Sequence, residues 1–110
     1  MTKASFSCIV ILALLLMVSP QISLSQSTGQ DLYKSKCQAC HGPDSSGDTV
    51  MGKKLGAKDL RSAEIQKQSD AEIATSILKG KDKMKGFEGK LTFEQVHYLV
   101  AYLRELAKKK

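Results

Sequence analysis

The sequence is poor in cysteine and aromatic residues, and it has no long apolar run. Three cysteines occur among 110 residues, and aromatics make up 5%. Cys8 lies in an N-terminal apolar segment. The other two, Cys37 and Cys40, could form at most one cystine, across a two-residue gap. That excludes a disulfide-stapled secreted scaffold, which carries several such pairs. The few aromatics do not interleave with the lysines, so the formal net charge of +6 does not describe a nucleic-acid surface. Attraction to acidic protein surfaces fits it better. The longest apolar run, CIVILALLLMV from Cys8 to Val18, falls short of the roughly 20 residues of a membrane span. Internal repeats and alternating strand patterns are absent.

What is present starts with a three-part N-terminus. Lys3 supplies a positive start, the apolar run follows, and Ser19-Pro20 break it. Ser23 and Ser25 are small residues at the usual minus-three and minus-one positions, so residues 1–25 read as a signal peptide cleaved after Ser25. Retention as a membrane anchor is the alternative. The remainder, residues 26–110, is one domain. A domain of this size buries a limited core and needs a staple, which is best sought in a cofactor.

Residues 26–28 read as loose. Helical patterning begins near Thr28 and runs through Leu32 and Tyr33 to the cysteines. GPDSSGDTVMGKKLGAKDL then lacks periodicity and reads as a long loop. Such a loop implies something buried that organises it. A short helix is predicted within 59–68. Ser69 opens a better one, with a Ser69/Glu72 capping box, an Ile73–Ile77–Leu78 stripe and a stop at Gly80. GKDKMKGFEGK is a glycine-rich loop carrying Met84. Thr92 and Gln95 form a second capping box, and Leu91 with Val96 makes a hydrophobic staple. The closing helix buries Val96, Leu99, Val100, Leu103 and Leu106. The fold class is therefore all-α, three to five helices with long loops.

Cys37, Cys40 and His41 fall within five consecutive residues. A redox dithiol wants a βαβ setting that these flanks lack. A zinc site wants four ligands, and adjacent Cys40 and His41 reach one small tetrahedral ion poorly. The third chemistry is covalent haem, whose attachment signature is C-x-x-C-H. Two thiols on one helical turn match the porphyrin vinyl groups, and the histidine then lies beneath the iron. An export signal agrees, because such attachment occurs outside the cytoplasm. A second iron ligand would be a methionine. Of the two that remain after the signal, Met84 in its glycine-flanked loop is favoured over Met51, which is expected to pack at the haem edge or in the early loop.

With these residues in hand, the chain resembles the small monohaem class I c-type cytochromes of bacteria over nearly all of residues 28–107. The resemblance rests on GQDLYKSKCQACH, the loop GPDSSG, ILKGKDKMKGFEGKLTFEQV and LVAYLREL, in that order. It implies the cytochrome c fold, thioethers from Cys37 and Cys40 to one haem c, and axial iron ligands at His41 and Met84. It implies a close crossing of the first and last helices at Gly29, with Leu99 and Tyr102 packed there. The sequence departs from the family in three ways. Lys85 stands where many relatives have proline, Pro43 is the only proline after the signal, and tryptophan is absent. A carbonyl partner for the His41 ring is expected but not identified.

The implied function is electron carriage in the periplasm by a monomer that is not an enzyme. The implied partners are acidic redox proteins, such as a membrane oxidoreductase, oxidase or dehydrogenase. Lys79, Lys81, Lys83, Lys85 and Lys90, with Lys53 and Lys54, would then attract those partners. A haem sensor with a labile Met84 and a small electron-transfer subunit of a larger complex are the open alternatives. His97 reads as a surface or half-buried residue. Tyr33, Phe87, Phe93 and Tyr98 read as haem-pocket or helix-contact residues.

Overall fold

A computed structural model describes residues 24–109. The apolar run and the break after it lie outside the described residues, so the signal-peptide reading is not addressed there. Among the described residues no helix is long and apolar enough to cross a membrane.

The described chain folds as six helices, α1 Leu24–Lys36, α2 Gln38–His41, α3 Val50–Leu55, α4 Ala63–Gln66, α5 Asp70–Lys79 and α6 Phe93–Lys108. A two-stranded antiparallel ribbon, β1 Gly80–Lys81 and β2 Met84–Lys85, sits between α5 and α6. The fold is all-α apart from that ribbon. α1 is already helical at Leu24, ahead of the start expected near Thr28, because polar residues weaken a helix slightly without stopping it.

Both predicted capping boxes form. The Ser69 hydroxyl accepts from the Glu72 amide at 3.1 Å, and the Glu72 carboxylate accepts from the Ser69 amide at 2.8 Å. Thr92 and Gln95 repeat the arrangement at 3.1 and 2.9 Å. Each box satisfies amides that a helix start leaves without partners. Leu91 and Val96 are both buried ahead of and within α6.

The early segment departs from expectation. Val50–Leu55 is helical rather than loop. The Thr49 hydroxyl accepts from the Gly52 amide at 2.8 Å, and Gly56 ends the helix in a left-handed conformation at φ +71°. The helix has no apolar stripe to betray it, because Val50 and Met51 face solvent. The predicted helix within 59–68 is a single turn, capped by Ser62.

The core is organised by α6, whose Val96, Leu99, Val100, Leu103 and Leu106 are buried. α1 crosses it at Gly29. A β-carbon there would overlap the Tyr98 carbonyl oxygen and approach the Tyr102 β-carbon to 3.0 Å. The glycine thus lets two backbones touch, as the family resemblance implied, and its cost to helix stability is offset by that contact. Tyr33 fills the corner beside it, fully buried, its ring 5.4 Å from that of Tyr102.

Candidate functional site

One hollow of about 380 Å³ opens between α2, α5, the ribbon and α6. Its walls are mostly aliphatic: Ile73 and Ile77 come from α5, Leu99 and Leu103 from α6. Cys37, Cys40, His41 and Met84 all reach it. The sequence places those four as far as 47 positions apart; the fold brings them to one cavity. Phe87 also lines it.

The C-x-x-C-H turn is held on every side. The His41 amide donates to the Cys37 carbonyl at 3.0 Å and the Cys40 amide to the same oxygen at 3.3 Å, so both thiols ride on one helical turn. The Thr49 hydroxyl donates to the Cys40 carbonyl at 2.7 Å. The Gly47 amide donates to the His41 carbonyl at 2.7 Å. The buried Tyr33 hydroxyl donates to the Gly42 carbonyl just beyond.

His41 Nδ1 lies 3.2 Å from the Lys58 carbonyl oxygen. A carbonyl can only accept, so Nδ1 carries the proton and Nε2 keeps its lone pair. Burial lowers the His41 pKa, against the opposing pull of the Lys58 carbonyl, which favours the neutral ring an iron ligand requires. This is the partner that sequence reasoning could not name. A backbone carbonyl 17 residues away leaves no mark in residue identity.

Cys37 and Cys40 are free thiols. Burial first, and the neighbouring Cys40 second, push the Cys37 thiol up to about 11. A redox dithiol needs the opposite, a thiol pKa brought down toward neutrality. Zinc fares no better: among the described residues no three His, Cys, Asp or Glu side chains converge as a metal cage. Two thiols on one turn, an imidazole lone pair and a thioether around an apolar hollow form a donor set suited to a haem, which brings its own four nitrogens.

Other expectations are corrected. Met51 is 47% exposed and is not among the residues lining the hollow. It sits on solvent-facing α3 rather than at the haem edge. Phe93 is 85% exposed at the first turn of α6 and does not line the hollow. Tyr98 is half-buried, and its hydroxyl donates to the Glu94 carboxylate. His97 is exposed. The cavity rim carries Lys36, Lys58, Lys81, Lys83 and Lys85, all exposed, with Glu64 and Asp82 among them. Lys79 and Lys53 are instead paired with Glu88 and Asp48.

An all-helical shell around an apolar hollow, with C-x-x-C-H on one wall and a methionine ribbon at its edge, defines a c-type haem protein. The comparisons agree. Residues 25–103 match the family model described as cytochrome c oxidase, cbb3-type, subunit III. The cytochrome c6 of Gloeothece citriformis is 33% identical over 107 residues, covering 91% of this chain and 92% of that protein. The cytochrome c6 of Thermosynechococcus vestitus is 30% identical over 103 residues, covering 93% and 89%. The solved structure of the KustC0563 c-type cytochrome is 40% identical, with a TM-score of 0.65, over 71% of this chain and 95% of that one. The chain belongs to the small monohaem c-type cytochromes, which are electron carriers. It therefore carries a covalently bound haem c with its iron.

Proposed function

We propose that this protein is an exported one-electron carrier whose haem is held through Cys37 and Cys40, with His41 and Met84 as the two axial ligands. When bound, the haem supplies reversible Fe(III)/Fe(II) exchange at a potential raised by thioether ligation. The observation that carries this reading is the convergence of Cys37, Cys40, His41 and Met84 on one apolar cavity.

Each residue has a separate task. The Cys37 and Cys40 sulfurs would form thioethers, and the turn that carries them sets their spacing. His41 would offer Nε2, held in that tautomer by the Lys58 carbonyl. Met84 would offer its sulfur from the ribbon. With His41 and Met84 both engaged, the bound haem would keep no open position for a substrate, so its work would be electron transfer and not turnover. The aliphatic walls exclude water and keep the surroundings alike in both oxidation states.

The rim lysines would draw the protein to acidic redox partners, with the periplasm as the compartment that residues 1–25 imply. Lys36, Lys81, Lys83 and Lys85 make no ion pair among the described residues, so their ammonium groups are not tied up in pairs.

The test is an intact mass and an absorption spectrum of protein made in a host competent for haem attachment. One haem added through two thioethers is expected. The weak long-wavelength band of a sulfur-ligated ferric haem should vanish in Met84→Ala and persist in Met51→Ala. Bare polypeptide with free thiols would sink the reading. Rates with an acidic partner should fall with salt, since screening acts within about 10 Å at 0.1 M.

A further inference from the structure

The ribbon that carries Met84 is fastened to the end of α5 at both feet. The Gly80 amide donates back to the Ser76 carbonyl. On the return, the Phe87 amide donates to the Ile77 carbonyl at 2.9 Å and the Glu88 amide to the Leu78 carbonyl at 3.0 Å. These carbonyls belong to the last turn of α5, where a helix leaves acceptors without partners. The return strand thus caps the helix, and Gly80 pairs with Lys85 across the ribbon. Outside, Lys79 Nζ grips both Glu88 carboxylate oxygens at 2.7 and 2.9 Å.

Gly86 is where this arrangement leaves no room. A β-carbon there would overlap the Leu78 carbonyl oxygen and stand 2.6 and 2.8 Å from the Lys79 carbonyl carbon and oxygen. All three are backbone atoms, so no side chain can swing aside. Gly89, three residues on, is a contrast. It has φ +78° but open space around its α-carbon.

We propose that Gly86, with the Lys79–Glu88 pair, forms a backbone clasp that positions Met84 in the haem cavity. The inference rests on the reading of Met84 as a ligand, and goes beyond it by naming what holds the methionine in place. Gly86 is a positioning residue: it touches the end of α5, and the effect reaches the cavity through two residues of strand. Any side chain at 86 pushes the return strand off α5 and swings Met84 away from the cavity.

Two readouts on the holoprotein separate position from bonding. The ring-current shift of the Met84 methyl resonance, assigned with Met84→Ala, reports whether the side chain lies over the porphyrin. The ferric sulfur band reports the bond. Gly86→Ala should lose both, and its ferrous form should bind carbon monoxide about tenfold more tightly or better, because the ligand-off state is more populated. Gly89→Ala, strained but uncrowded, should keep both signals. Retention of both signals in Gly86→Ala overturns the proposal. So does equal loss in Gly89→Ala, which would mean general loosening of the loop. If Gly86→Ala does not fold, the surface pair decides. Lys79→Ala/Glu88→Ala should tighten carbon monoxide binding about two- to fivefold, while Glu105→Ala/Lys108→Ala should not. No difference between the pairs overturns the clasp. A native protein with a shifted methyl and no sulfur band would defeat ligation by Met84 and leave the clasp standing. Neither signal in the native protein defeats both.

Discussion

Tyr33 shows how much one side chain carries here. It is fully buried, and its hydroxyl ties α1 to the Gly42 carbonyl just past the haem-binding turn. Gly42 also accepts from the Ser45 amide at 3.2 Å, so losing the phenol leaves that carbonyl partly satisfied. Tyr33→Phe should therefore cost only about 1 kcal/mol in denaturant unfolding. The phenol also carries a pH dependence. Burial above all, with the Tyr102 and Asp44 charges behind it, raises its pKa well above the ordinary 10.0. The unfolded chain releases this proton at lower pH than the folded one. The contribution is whole below pH 10.0 and is lost as pH rises beyond it. Unfolding titrations above that pH should show a decline that Tyr33→Phe partly abolishes. An identical decline in both proteins would contradict the assignment.

Among the elements, α3 steadies the haem-binding turn through its cap while showing least in the sequence. Thr49 caps it and also donates to the Cys40 carbonyl, so one hydroxyl joins the early helix to the C-x-x-C-H turn. Thr49→Val keeps the shape and removes both bonds. It should cost about 1–2 kcal/mol and speed amide exchange at Cys40 and His41, measured by hydrogen exchange. Protection unchanged at that turn would show that Thr49 merely caps α3. α5 and α6 were legible because their apolar stripes face a core and their caps follow a four-residue rule. α3 was not, because its exposed Val50 and Met51 and its interior Gly52 leave no periodic signal. The Met84 ribbon was read as loop for a related reason: its order comes from the end of α5, not from its own residues.

For the molecule as a whole, α6 is the fastener. From it Arg104 donates to the Gln66 carbonyl at 2.8 Å, the Gln68 carbonyl at 2.6 Å and the Asp70 carboxylate at 2.9 Å. One guanidinium thus closes the turn between α4 and α5, and Ile65 and Gln68 beside that turn line the cavity. Arg104→Leu should lower stability by about 2 kcal/mol. Lysine should recover only part of that, because an ammonium cannot span the fork. The cavity sets the other whole-molecule expectation. Without a group to fill it, its aliphatic walls face water. Protein made as Cys37→Ala/Cys40→Ala without haem should therefore show weak helicity by circular dichroism and no sharp unfolding transition. Full helicity and a cooperative transition would show that the shell folds unaided.

The amino-acid order alone determined the chemistry and the main helices. A cysteine pair with its histidine is a local motif, and a capping box spans four residues. Each is legible because its physics acts within a turn or two of chain. The tertiary structure alone decided that the Lys58 carbonyl meets His41, that α3 is a helix, that Met51 faces solvent and that the Met84 ribbon hangs from α5. Those outcomes depend on backbone atoms and on packing between segments far apart in the chain, and neither is written in the identity of any single residue.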